Sequence, residues 1–167
     1  RWAYDNNLIP AFKKIEGGSK WEHRMRTFNE EEMDLILNKI CPQHFQLFVR
    51  FAYYTGCRRG EICSLTEVNV RDGYVSGKSG TRPLKLNTQA KDVLAEIDTL
   101  WDYRPTYVTQ TFKKNLVRLG IKDGRFHDLR RTFGYNLIKQ GMAIYQLSKL
   151  LGHSSVTTTE KHYAPLI

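Results

Sequence analysis

Cysteine, proline and acidic side chains are all scarce in these 167 residues, and each scarcity excludes something. The three cysteines, Cys41, Cys57 and Cys63, are odd in number and lack CxxC spacing. They favour a reducing, intracellular (cytoplasmic) setting over a disulfide framework. Only five prolines, no internal repeat and no low-complexity tract leave an ordinary globular composition. No apolar run approaches the roughly 20 residues that span a bilayer, and 1–20 has no continuous apolar stretch of the secretory kind. The chain opens on Arg rather than Met, which fits a fragment or a trimmed chain. Acidic residues number 17 against 26 basic ones, giving +9 and a pI near 9.5. That surplus points to a polyanionic partner, nucleic acid before an anionic membrane.

What is present reads as one compact domain with a lead-in. Residues 1–26 hold Pro10, the run Gly17-Gly18-Ser19 and scattered Lys13, Lys14, Lys20, Arg24 and Arg26. They are expected to form a linker, with Trp2, Leu8 and Ile9 ending a preceding domain; 27–167 would be the functional domain. Thr27 and Glu30 have capping-box spacing ahead of Met33, Ile36, Leu37 and Ile40, a helical repeat. Pro42 breaks that helix and opens a second, running to Thr55-Gly56. A short helix is expected over about 58–65. Strand character follows at 68–70, 74–75 and 84–86, with turns at Asp72-Gly73 and Ser79-Gly80. Helical faces then recur: Ala90, Val93, Leu94 and Ile97; Val108, Phe112, Leu116 and Leu119 up to Gly120; a helix from about His127 to Gln140; Ile144, Leu147 and Leu151 up to Gly152; and a last helix from Ser155 or Thr157. The fold class is mainly α with one small antiparallel β-sheet (α+β).

Three places carry chemistry. In TGCRRGEI a Thr-Gly turn delivers Arg58 to a helix start, where free N–H groups favour an anion, and Glu61 at i+3 is placed to hold its guanidinium. A bland surface Arg–Glu pair reads the same way. In HDLRRT, His127 and Arg130 share a helix face, a pairing suited to an oxyanion such as a phosphodiester. Taken alone, a buried histidine satisfied locally explains it as well. In LLGHSS, Gly152 reads as a helix C-cap, making His153 the first residue beyond it; Tyr163, one of nine tyrosines, follows ten positions later.

The ordered set of TGCRRGEI, the basic hairpin VSGKSGTRPLKL, HDLRRT, LLGHSS and TTTEKHYAP resembles the tyrosine recombinase family, including the phage integrases, over about 27–165. The resemblance implies a tyrosine recombinase catalytic-domain-like fold and site-specific recombination through a 3′-phosphotyrosine. It makes Tyr163 the nucleophile. Arg58 and Arg130 would clamp the phosphate, His127 assist proton removal, His153 hydrogen-bond the phosphate, and Lys78 protonate the leaving 5′-oxygen. The hairpin is about a residue shorter than the common pattern, so Lys85 or Arg82 stand as alternatives to Lys78. Arg131 occupies a position where many relatives carry a second histidine. Glu61 is expected to be supporting, His162 a solvent-facing neighbour, and His23 and His44 outside the site.

A phenol with a pKa near 10 needs a base or a cationic pocket to attack at neutral pH, and two arginines with a lysine supply one without a metal. No paired acidic cluster sits among these motifs, so no cofactor is expected. Double-stranded DNA is the expected partner, with Arg82, Lys113, Lys114, Arg118, Arg125 and Arg131 as DNA-binding candidates; for the Lys113–Arg118 group a solvated helix face explains the pattern equally. Other protomers would complete a tetramer on DNA in the full-length protein, and no membrane is involved. The rival readings are a type IB topoisomerase-like activity, with the same nucleophile, and a non-catalytic DNA-binding module.

Overall fold

The computed structural model describes residues 24–78 and 80–166. The readings made for Trp2, Leu8, Ile9, Pro10, the 17–19 run, His23 and Ser79 lie outside the described residues.

Nine helices, a two-stranded hairpin and a final 3₁₀ turn are seen among the described residues. The first helix, α1 (Glu30–Lys39), begins two residues later than the Thr27 cap implied. Asn29 and Glu32 form the capping box instead, each side chain accepting from the other's backbone N–H. After Pro42, α2 (Gln43–Thr55) is the central helix and stops at Gly56, whose φ of 61° is the left-handed cap that glycine adopts at little cost. Two short helices follow, α3 (Arg59–Cys63) and α4 (Glu67–Asp72).

The helix α4 corrects the expected strand at 68–70. Thr66 and Asn69 cap each other and start a helical turn, and local capping overrides the β preference of Val68 and Val70. The hairpin is β1 (Tyr74–Gly77) against β2 (Gly80–Pro83), antiparallel, with Val75 opposite Arg82. The run 84–86 lies past β2, although the Leu84 N–H still donates to the Gly73 carbonyl.

The remaining helices fall close to their expected positions: α5 (Thr88–Glu96), α6 (Pro105–Arg118), α7 (Phe126–Lys139), α8 (Ile144–Leu151) and α9 (Val156–Tyr163), followed by the 3₁₀ turn Ala164–Leu166. For α9 the cap is Ser155, so the Thr157–Glu160 spacing is not the one used.

One core gathers α1, α2, α5, α6 and the start of α7 around Ile36, Phe45, Phe48, Phe51, Trp101, Phe112 and Leu129. Ring edges and faces interlock there, with Phe48 edge-on to Trp101 at 5.5 Å between centroids. A second, smaller cluster joins Leu147 and Leu151 of α8 to Tyr163 of α9. Against α7, these two helices bring the fourth and fifth motifs beside the third. Among the described residues no helix is long and apolar enough to cross a membrane.

Candidate active site

The site is organised by the C-terminal end of α8. Three successive carbonyls there, which a helix end leaves without internal partners, accept from three guanidinium groups. Arg82 donates to Leu150 at 3.1 Å, Arg130 to Leu151 at 2.5 Å and Arg58 to Gly152 at 3.3 Å. The Gly152 cap (φ 63°) then turns the chain so that His153 leaves the helix beside them.

Arg58 caps α3, and Glu61 accepts both from its backbone N–H (2.7 Å) and from its guanidinium (2.8 Å). Glu61 is only 3% exposed, so the surface-pair alternative does not hold. Burial pushes this carboxyl up, but hydrogen bonds from Arg82 and from the Arg58 backbone N–H, with both nearby positive charges, outweigh it and hold it at about 2. Arg130 is buried on α7, and its other terminal nitrogen donates to the Gly56 carbonyl at 2.7 Å. Burial, then the charges of Arg58 and Arg82, lower it to about 10, which leaves it cationic at neutral pH.

The two histidines are both pulled toward neutrality. At His153, burial and then Arg130 and Arg58 lower the imidazole to about 4, and its Nδ1 lies 2.7 Å from the Thr159 hydroxyl. At His127, burial against the protein beneath it and the charges of Arg130 and Arg131 also lower it to about 4. The residue remains open to solvent, which screens the shift; the direction, a neutral ring at pH 7, is what matters.

Tyr163 is 3% exposed, and its hydroxyl donates to the backbone carbonyl of Arg130 at 3.4 Å. Gly134 makes the room: a Cβ there would stand 2.5 Å from the hydroxyl oxygen and 2.7 Å from two ring carbons. Burial raises the phenol above its usual value, against the lowering pull of Arg130 and Arg131. Arg58, Glu61, His127, Arg130, His153 and Tyr163 are thus brought together, as the order of motifs implied. Lys78 is exposed and directly follows β1, at the hairpin tip, and Lys85 is exposed beyond β2.

Two residues read as DNA contacts are corrected. Arg82 is buried, with its guanidinium spent on Glu61 and on main-chain carbonyls, so it presents nothing to a duplex and is no stand-in for Lys78. Arg131 is buried and paired with Asp128 at 2.9 Å. Lys113, Lys114, Arg118 and Arg125 are exposed; Arg118 also hydrogen-bonds Asn115 at 3.0 Å and the Lys39 carbonyl. Arg58 and His127 open onto a cleft of about 1030 Å³, rimmed by Arg59, Lys113, Lys122 and Arg125 over Phe112, Leu116 and Phe126. His44 meets Tyr103 away from the site, and His162 is half-buried rather than solvent-facing.

Sequence reasoning missed Asp128. Buried inside the HDLR motif, it caps α7 by accepting from the Arg125 N–H at 2.8 Å, and it pairs with Arg24 at 3.0 Å and with Arg131. An acid at the third helical position was the available signal. Nothing local announced Arg24, which lies 104 residues away and also pairs with Asp123.

The fold is a mainly helical body with one small hairpin, like the catalytic domains of tyrosine recombinases, and it carries an arginine–histidine–tyrosine cluster. Residues 102–166 match the phage integrase family. The chain is similar to the tyrosine recombinase XerA of Pyrococcus furiosus, 26% identical over 91% of this chain and 65% of that protein. In fold it is similar to a lambda integrase dimer bound to a COC′ core site, at TM-score 0.77 and 21% identity, covering 94% of this chain and 68% of that one. It is also similar to the Tn1549 transposon integrase in complex with transposon right-end DNA, at TM-score 0.75 and 17% identity, covering 96% and 70%. The chain therefore spans just under two thirds of the length of its XerA relative.

Proposed function

We propose that the chain cuts and rejoins double-stranded DNA as the catalytic domain of a site-specific, integrase-type recombinase. The observation that carries this reading is the convergence of Arg58, Arg130 and His153 on one helix end, with the Tyr163 hydroxyl on Arg130's own carbonyl. Two forked guanidinium groups suit the non-bridging oxygens of a phosphodiester and the charge that builds on them in the transition state.

In this reading Tyr163 attacks the scissile phosphate, giving a 3′-phosphotyrosine and a free 5′-hydroxyl. The neutral ring of His127 takes up the phenolic proton. With Nδ1 of His153 accepting from Thr159, its other nitrogen donates to the phosphate. Lys78 gives a proton to the leaving 5′-oxygen, and the exposed hairpin tip lets it approach a bound duplex. Because Tyr163 is buried beside Gly134, cleavage needs the ring to leave that seat. Glu61 is a supporting residue.

The basic rim of the cleft beside Arg58, with Lys113, Lys114, Arg118 and Arg125, supports backbone contact with DNA. Residues 27–167 form the catalytic domain, and the segment before Thr27 leads into it, anchored where Arg24 and Arg26 pair with Asp128 and Glu32. The partners are duplex DNA and further protomers, as in the DNA-bound integrases of similar fold, and the setting is intracellular.

The test combines two duplexes carrying the same target site with a supercoiled plasmid bearing it. Exchange of strands between the duplexes is the expected result. Relaxation of the plasmid without exchange would favour a type IB topoisomerase-like activity, and binding with neither would favour a non-catalytic module.

A further inference from the structure

Arg82 lies in β2 with its side chain turned inward, and its guanidinium is used on every side. Its Nε and one terminal nitrogen donate to the two oxygens of Glu61 at 3.2 and 2.7 Å, and that terminal nitrogen also reaches the Cys57 Sγ at 3.3 Å. The other terminal nitrogen donates to the carbonyls of Leu150 (3.1 Å) and Pro83 (3.3 Å). The aliphatic stem fills the space a side chain at Gly152 would need, since a Cβ there would stand 2.4 Å from the Arg82 Cδ.

One side chain thus ties together the turn and helix that carry Arg58, the hairpin that carries Lys78, and the helix end that presents His153. The connection to Arg58 runs through a single carboxylate, because Glu61 accepts from both arginines. A buried ion pair contributes little to stability on balance, since desolvation offsets the attraction. Its geometric worth is larger: a planar fork on a carboxylate fixes distance and angle together.

We propose that Arg82 is a positioning residue for phosphate capture, setting the Arg58 guanidinium through Glu61 and the His153 turn through Leu150 and Gly152. The proposal rests on the strand-cleavage reading above. Arg82 touches no substrate; it acts through the residues that do. A lysine there keeps a charge but has no fork, so it cannot hold both Glu61 oxygens and the Leu150 carbonyl at once.

The test uses Arg82→Lys and Arg82→Met, with two readouts beyond thermal stability. Inorganic sulfate, a tetrahedral dianion, is titrated against the Arg58 Nε–H resonance. Cleavage of a nicked target duplex is followed in single turnover alongside the Kd for that duplex. Sulfate affinity is expected to fall about ten-fold in the folded variants, and cleavage to slow by about 10²-fold, with duplex Kd nearly unchanged. The Arg58 resonance should broaden or exchange faster in both. If Arg82→Met does not fold, Arg82→Lys carries the comparison. A folded Arg82→Lys with wild-type sulfate affinity and cleavage rate would overturn the proposal. So would losses of Kd and rate that merely track melting temperature. Absence of cleavage by the wild type would refute the strand-cleavage reading instead, and the sulfate comparison would still decide the role of Arg82.

Discussion

Replacing Gly134 by alanine tests how tightly Tyr163 is seated. Gly134 lies inside α7, where alanine ordinarily stabilises a helix by about 1 kcal/mol. Here the added methyl group would meet the Tyr163 ring and hydroxyl at 2.5–2.7 Å, closer than any real contact, and the ring is a rigid body held in a filled seat. Displacing it forfeits the burial of a large side chain, about 1.5–3 kcal/mol, as well as the hydrogen bond to the Arg130 carbonyl. The net expectation is destabilisation by about 1–2 kcal/mol, a fall in Tm of about 2–8 °C. Gly60→Ala in α3, where a Cβ would meet nothing within 4 Å, is the control and should leave Tm level or slightly higher. The assay is thermal unfolding of both variants with ultraviolet titration of the tyrosines. In Gly134→Ala one phenol should titrate nearer its ordinary value, because burial is what raises Tyr163. A Tm that rises as for an unhindered helix glycine, with an unchanged titration, would refute the reasoning.

Three further outcomes follow from the same geometry. His153 is lowered to about 4 from 6.5, and the solvent-open His127 is lowered in the same direction, so protons bind the unfolded chain first: stability is full above pH 6.5 and declines as pH falls toward 4. Glu61, held at about 2 against 4.5, contributes about 3 kcal/mol that is lost between pH 4.5 and 2. Melting curves from pH 8 to 3 should show both declines, and a Tm flat down to pH 5 would contradict the first. Arg130→Lys keeps a charge but cannot bridge Gly56, Leu151 and a phosphate; single-turnover cleavage should slow by about 10²–10³-fold, and a loss under ten-fold would argue against the clamp. Lys113→Ala with Lys114→Ala should weaken binding to every duplex and reduce the slope of log K against log salt by about 1.8, read by fluorescence anisotropy. An unchanged slope would remove these lysines from the interface.

Much of this was legible in the chain because local signals and packing agree. Apolar spacing at 3.6 residues located α1, α5, α6 and α8, and Gly56 and Gly152 end their helices as their positions implied. The site was legible as an order of motifs, since Arg58–Glu61 and His127–Arg130 each share one helical turn. What was not legible depends on contacts between distant segments. Arg82 looks like a surface cation in a basic hairpin, and only the pairing that sets it beside the buried Val75 turns it inward onto Glu61. Arg24 meets Asp128 across 104 residues, a distance no local pattern reports. Val68 and Val70 read as strand because side-chain preference is weak beside a reciprocal cap of Thr66 and Asn69.

The most direct test of the account is a nicked suicide duplex carrying the target site, incubated in chelator. Loss of the short cleaved fragment would then trap a covalent complex. The account predicts a denaturation-resistant adduct, with the protein joined to the 3′ end through Tyr163 and absent in Tyr163→Phe. An adduct that persists in Tyr163→Phe, or none at all on a duplex the protein binds, would contradict it.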